Sequence, residues 1–295
     1  ETWAKTTGSD AHWKLITDSS EFKKYEKLAE KKSAEKIAIE TSADAGFADL
    51  RGERNFYSQI ELPWIAPEMR ETGEEITLAK SGKLEDVLPW DGIQGVFHNH
   101  TTESDGTATL EQMVKSAQDL GYKYIGISDH SQSAFYAQGL TPERLKLQEV
   151  EVRAVQEKYP DIRVFWGIES DILADGGLDY NDQILSRFDF VIGSVHSRFQ
   201  MDRTTMTERM LQAIRHPKIR FLGHLTGRLL LGRKGYELEM ERVIEEAAKY
   251  NVAIEINAHP QRMDIDWRYG SLLRKNQCMV SVNPDAHATE ELQNT

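Results

Sequence analysis

From Gly95 onward the chain alternates short apolar, β-branched runs with amphipathic helical stretches, and few folds can accommodate that rhythm. The strand-like runs are GVFHNH (95–100), YIGISDH (124–130), VFWGIES (164–170), FVIGSVH (190–196), FLGHL (221–225), VAIEINA (252–258) and MVSVNPDAH (279–287). Helical periodicity falls between them, near 109–120, 141–158, 179–187, 203–215, 237–249 and 267–276. Parallel neighbours need a long crossover, usually a helix, so seven strands separated by six helices predict an α/β fold with a parallel sheet. An open doubly wound sheet would also satisfy the pattern. Polar residues, however, punctuate the C-terminal ends of nearly all the runs. That favours a closed (β/α) barrel, in which those ends converge on one face and carry the active site.

Before residue 94 the pattern is irregular. Residues 20–38 read as a charged, exposed helix with Ser20 as its N-cap. Pro63, Trp64, Pro67 and Trp90 then mark a loop-rich connector around an acidic stretch, Glu71–Glu75. The expected organisation is an accessory region over 1–70, a linker over 71–94 and the barrel over 95–295. The 295 residues include 36 basic and 48 acidic ones, a net charge of −12. Residues 1–94 contribute 13 − 19 = −6 of it, so neither part is a basic domain. A strong duplex clamp is therefore disfavoured. Action on a nucleic-acid end stays open if metal ions supply local positive charge. The single cysteine, Cys278, excludes an internal disulfide and a cysteine-rich zinc site. No apolar run approaches the roughly 18 residues of a membrane span, and ETWAKTTGSD lacks a signal-peptide pattern. These features point to a reducing, cytoplasmic setting with no membrane partner.

Six of the nine histidines sit at or just past strand ends: His98, His100, His130, His196, His224 and His287. Asp105, Glu169 and Asp285 occupy equivalent places. His98 and His100 are two residues apart on one strand, so both imidazoles leave the same face. A lone His-x-His reads equally well as two surface histidines. Asp285 and His287 repeat the spacing, and histidines at the same end of successive strands make a metal site. Nine nitrogen and oxygen ligands suit two or three ions of Zn²⁺, Mn²⁺ or Fe²⁺ rather than Ca²⁺ or Mg²⁺ alone. With no cysteine nucleophile and no Ser–His–Asp signal, clustered metals point to hydrolysis. Two ions about 3.5–4 Å apart suit phosphoryl displacement, while amide hydrolysis remains open on spacing alone.

HNHTTESDG (98–106), SDH (128–130), GIES (167–170), SVHSRF (195–199), GHLTGR (223–228), EINAHPQR (255–262) and NPDAH (283–287) together resemble the motifs of the polymerase-and-histidinol-phosphatase (PHP) family. The resemblance covers 95–287 with every motif in order. TGRLLLGRKGY (226–236) and EINAHPQRMDI (255–265) resemble in particular the PHP domain of bacterial family X DNA polymerases. The resemblance implies a (β/α)7 barrel with three divalent ions, Zn²⁺ and/or Mn²⁺, with Fe²⁺ admissible. It assigns His98, His100, Glu169 and Asp285 to the first ion. Glu169, His196 and His224 go to the second, and Asp105, His130 and His287 to the third. Leu225 stands where the family often has proline, which touches loop geometry and not ligation. TTGSDAHWKLI (6–16) looks like part of a family X palm, and ERNFYSQIELPWIAPEMRE (53–71) like the end of its C-terminal subdomain. Residues 1–70 would then be a remnant of that subdomain, without the polymerase aspartates and without polymerase activity. ELQNT would end the chain short of a final barrel helix, as in a piece of a longer polymerase.

Arg228 and Arg262 follow strand ends in polar motifs and could grip a phosphate bidentately, with Arg198 as a third candidate. Surface salt bridges are the plainer alternative. The loop 131–140 carries Phe135 and Tyr136, which suit either a lid that stacks a base or packing on the barrel rim. His259 is expected behind the ligands or in solvent, and His12 and His216 at the surface. Cys278 is expected to be inert, and Met201, Met206 and Met210 to fill core or loop. The expected function is a metal-dependent phosphoesterase, most concretely a 3′-5′ exonuclease in DNA repair that acts on a nucleic-acid 3′ end, single-stranded DNA first. Glu169 would bridge two ions, and Asp285 would orient or deprotonate the attacking water. A small-molecule phosphatase of the histidinol-phosphatase type is one alternative, though it has no use for residues 1–94. A non-catalytic platform for a polymerase is another, though it has no use for the metal cage.

Overall fold

The alternation that begins at Gly95 builds the second of two units, Glu1–Pro89 and Trp90–Thr295. The computed structural model describes residues 5, 7–33, 50–84, 88 and 92–295. In the second unit the strands are β1 (Gly95–Val96), β2 (Tyr124–Ile127), β3 (Arg163–Asp171), β4 (Phe190–Ser194), β5 (Phe221–Leu222), β6 (Ala253–Asn257) and β7 (Val280–Asn283). They pair in parallel in chain order. Six helices make the crossovers: α5 (Leu110–Asp119), α6 (Pro142–Lys158), α7 (Asp182–Leu185), α8 (Arg203–Ile214), α9 (Met240–Tyr250) and α10 (Gly270–Lys275). Local chemistry starts most of them. Thr109, Thr141, Asn181 and Asp202 each accept a backbone N–H in the first turn of α5, α6, α7 and α8. Pro142 adds a helix-ready φ at the start of α6.

The ring closes where β1 meets β7. Asn99 and Ala286 form a parallel bridge, with His100 N–H donating to the Ala286 carbonyl at 2.8 Å. The Asn283 side chain accepts from Phe97 N–H at 2.8 Å. Apart from β3, the paired strands are shorter than the apolar runs that announce them. β1 stops at Val96 and β5 at Leu222, and the polar tails beyond them turn into the mouth of the barrel.

Strand alternation sorts the barrel into levels. Along β3, Phe165, Gly167 and Glu169 share the inner face. Phe165 joins Phe97, Tyr124, Phe190 and Phe221 in an aromatic plug at the N-terminal end, with Phe97 ring centroids 5.0–5.5 Å from the others. A Cβ at position 167 would lie 2.3 Å from the Phe190 ring, so glycine is what lets that ring enter. Glu169 stands above it at the C-terminal end. The outward-facing Ile125, Ile127, Val164, Trp166 and Ile168 pack with Met113, Val114, Leu145 and Val152 of the helices. A cavity of about 650 Å³ opens beneath the plug, far from the histidines.

The first unit contains α1 (Asp10–Asp18), α2 (Ser20–Ser33), α3 (Leu50–Gln59) and α4 (Glu74–Lys80) around Ile16, Phe22, Phe56, Tyr57, Ile60, Ile65 and Ile76. Three expectations change here. Ser19, held extended in the turn after α1, caps α2 by accepting from Phe22 N–H at 3.1 Å, whereas Ser20 is already helical. Part of the stretch 71–94 is packed and not a plain linker, because α4 buries Ile76 and Ala79 in this core. His12 is fully buried rather than at the surface, since Glu75 and Tyr57, remote in sequence, bond both its ring nitrogens at 2.6 and 2.9 Å. Thr6, residues 34–38 and Trp90 lie outside the described residues. Among the described residues no helix is long and apolar enough to cross a membrane.

Candidate metal centre

The polar strand tails converge in the mouth of the barrel, and Glu169 lies at their centre. Its Oε1 lies 3.2 Å from His98 Nε2, 3.3 Å from His196 Nε2 and 3.0 Å from His224 Nε2. Its Oε2 lies 2.9 Å from His130 Nδ1 and 3.7 Å from His100 Nε2. Asp285 Oδ1 stands 3.2 Å from His100 Nε2 and 3.4 Å from His98 Nε2. Further out, Asp105 faces His130 Nε2 at 3.6 Å and His287 Nε2 at 3.4 Å. All nine candidate ligands thus come together. His98, His100 and Asp285 form one group, and His100, Asp105, His130 and His287 another. Glu169 forms two more, one with His98 and His224 and one with His130 and His196. The backbone bends to reach this arrangement. Asp285 has φ +53°, a left-handed conformation that aspartate tolerates better than most residues.

These approaches are short, yet most do not have hydrogen-bond directions. His98 Nε2, His196 Nε2, the Nδ1 atoms of His100, His130 and His224, and both Glu169 oxygens are buried without a hydrogen-bond partner. A folded protein seldom leaves so many buried polar atoms unpaired, and an unpaired one costs about 1–3 kcal/mol. Cations between them would satisfy most of the set, and the nitrogen and oxygen donors match Zn²⁺ or Mn²⁺. The electrostatics agree in direction. Burial acts to raise the Glu169 carboxyl, but His196, His98 and His130 outweigh it and hold it well below the usual carboxylate range.

Behind the candidate ligands lies a layer of residues to which the sequence reading gave no role. Glu255 accepts from His98 Nδ1 at 2.6 Å and from the His224 backbone N–H at 2.5 Å. Asp171 pairs with His196 Nδ1 at 2.6 Å. Each carboxylate fixes the tautomer of its histidine and leaves Nε2 as a lone pair aimed at the centre. Asn257 donates to Asp285 Oδ2 at 3.0 Å and Asn283 to Glu255 at 3.1 Å. Asp129, fully buried, accepts from Thr101 N–H and Oγ1, Ser104 Oγ and Gln148 Nε2 at 2.6–2.8 Å. It thereby clamps the loop that presents Asp105. Two signals were available in the sequence: Glu255 interrupts an apolar strand, and Asp171 repeats the two-residue spacing from Glu169.

The three arginines separate. Arg262 reaches the centre, with Nε 3.1 Å from Asp285 Oδ2 and Nη1 buried and unpartnered. Arg228 does not join it, because Asp266 at 2.9 Å and the carbonyls of Arg262 and Met263 occupy its guanidinium. It braces the loop that carries Arg262. Arg198 is exposed on the loop after β4, and His259 lies near the rim, 3.8 Å from Glu291.

Known proteins resemble this chain in sequence and in fold. The PHP domain family model matches residues 97–259. The DNA polymerase/3′-5′ exonuclease PolX of Bacillus subtilis is 38% identical over 256 residues, covering 86% of this chain and 44% of that protein. A probable phosphatase of Caldicellulosiruptor saccharolyticus is 34% identical over 170 residues, 54% of this chain and 64% of that protein. The chain therefore spans less than two thirds of the length of either relative. The solved structure of a candidate histidinol phosphatase from Listeria monocytogenes has the same fold. It superposes with a TM-score of 0.54 at 16% identity, covering 67% of this chain and 97% of that one. With the family model spanning more than half of its residues, the chain belongs to the PHP domain family.

Proposed function

We propose that the chain is a metal-dependent phosphoesterase that acts as a 3′-5′ exonuclease on nucleic-acid ends, as part of a family X DNA polymerase active in DNA repair. The observation that carries the reading is the convergence of nine candidate nitrogen and oxygen ligands, Glu169 at their centre, six of which keep a buried nitrogen or oxygen unpaired. The similarity to PolX over 86% of the chain supports the choice of substrate. Three ions are proposed: one at His98, His100, Glu169 and Asp285, one at Glu169, His196 and His224, and one at Asp105, His130 and His287. When bound, divalent ions polarise a phosphoryl oxygen and lower the pKa of a water. Glu169 holds two groups of ligands to one carboxylate. Glu255 and Asp171 keep His98 and His196 in the ligand tautomer. Asp285 uses Oδ2 for Asn257 and Arg262, which leaves Oδ1 facing the centre to orient the attacking water. The unpartnered Arg262 Nη1 is placed to take a non-bridging phosphate oxygen. Residues 1–70 are proposed to derive from a polymerase subdomain, and the setting to be cytoplasmic.

Metal analysis combined with a 3′-end-labelled, single-stranded oligonucleotide decides the matter. Loaded protein is expected to release nucleoside monophosphates, and chelated protein none. A phosphatase reading is favoured by the relative of that name. Hydrolysis of histidinol phosphate without release from the oligonucleotide would establish it instead.

A further inference from the structure

The loop that follows His130 shows a combination found nowhere else in the site: a tightly built frame that turns two aromatic rings outward. Leu140 N–H donates to the His130 carbonyl at 2.8 Å, and Ser131 and Leu140 bridge like strands. Ala134 N–H donates to Ser131 and Gly139 N–H to Ala134, both at 3.0 Å. Asp179 ties the loop from outside, accepting from Ser131 Oγ at 2.7 Å and Ser133 N–H at 2.9 Å. Ala134 and Ala137 are buried beneath it. A Cβ at position 139 would lie 1.9 Å from the Ser131 carbonyl oxygen, so only glycine lets the loop close. On this frame Phe135 is 87% exposed and Tyr136 69%. Exposed aromatic surface is unfavourable at about 25 cal/mol per Å², and a fixed loop cannot fold it away. The loop presents these rings.

The position of Tyr136 names the occupant. The Tyr136 ring centroid is 6.1 Å from that of His130 and 6.3 Å from that of His196, at the edge of the metal centre. A phosphodiester held at the centre would bring the base of its own nucleotide to this edge. We propose that Phe135 and Tyr136 form a stacking platform for the unpaired 3′-terminal base, a subsite that rests on the exonuclease reading above. Flat rings read the π-face that every base has, so the platform tolerates any base. It favours a base out of a duplex, since a paired base must first be unpaired and unstacked, at a cost in free energy, to turn onto the rings. An acidic chain without a duplex clamp thereby selects single-stranded or frayed ends by shape and not by charge.

The test uses an oligonucleotide with 2-aminopurine as its 3′-terminal base on a slowly cleaved phosphorothioate linkage, titrated into metal-loaded protein. Binding is expected to quench the fluorescence. The double variant F135A/Y136A should lose most of the quench and bind roughly tenfold more weakly, within the range of one base stack. A kinetic arm compares a normal 3′ end with a 3′-abasic one. The parent should favour the base-bearing end about tenfold in KM, and the double variant should bring that ratio near unity. Equal quenching in parent and variant, or a parent indifferent to the missing base, overturns the platform. Failure to degrade either oligonucleotide while a phosphomonoester is hydrolysed defeats the exonuclease reading instead. The quench then decides the platform alone, and its absence overturns it.

Discussion

Two buried histidines, one in each unit, start from the same contact and end differently. His12 in the first unit has Nδ1 on Glu75 at 2.6 Å, and His98 in the barrel has Nδ1 on Glu255 at 2.6 Å. The second nitrogen makes the difference. His12 Nε2 meets the Tyr57 hydroxyl at 2.9 Å, so the ring is satisfied and serves packing. His98 Nε2 points at Glu169 and has no hydrogen-bond partner. His196 repeats the pattern, with Asp171 on Nδ1 at 2.6 Å and Nε2 left unpaired. A buried histidine is marked as a candidate ligand by the bond it does not make, not by burial or by its carboxylate.

The comparison breaks most visibly at Glu169. Glu169→Ala should lower phosphoesterase activity roughly 100- to 1,000-fold, the range for removing one preorganised electrostatic group. It should also lower the metal content per folded chain, measured by elemental analysis after gel filtration. Activity and metal content equal to the parent would remove Glu169 from the centre. The two carboxylate–histidine pairs can be separated next. Glu255→Gln should weaken metal affinity about 10- to 100-fold in a chelator competition, because the His98 tautomer is no longer enforced. Glu75→Gln in the first unit should leave that affinity unchanged. Equal effects of the two substitutions would mean that the pairs do the same work.

The smallest effect is the pH response of His12. Burial lowers its pKa from the ordinary value of 6.5, and Arg70 pushes in the same direction, against Glu75 and Glu53. The folded state therefore prefers the neutral ring, while the unfolded chain takes up a proton below about pH 6.5. The stability contribution is present above that pH and is lost as the pH falls through the unfolded value towards the folded one. Melting of the first unit should fall between pH 7.5 and 5.5 and be flatter in His12→Gln. A melting temperature that rises on acidification would show that His12 is held as a cation.

All seven strands and six crossover helices were legible because the hydrophobic period switches at each boundary. The nine candidate ligands were legible because each sits at or just beyond the polar tail of an apolar run. Three features were not. His12 looked like a surface residue because its partners lie 63 and 45 residues away. Arg228 and Arg262 look alike in sequence, yet one is spent on Asp266 and two carbonyls while the other reaches Asp285. Glu255 had a signal, a charge within an apolar strand, that spacing alone could not connect to His98.

What the sequence determined by itself was therefore what depends on neighbours along the chain: the alternating elements, the capping residues of most crossover helices, and the kinds of donor at each strand end. Ring closure, the unpaired nitrogens and the separate fates of the arginines were decided by tertiary structure. The physical reason is that a donor's role depends on where its last partner lies. In a barrel that partner comes from another strand, as far off as Asn99 from Ala286.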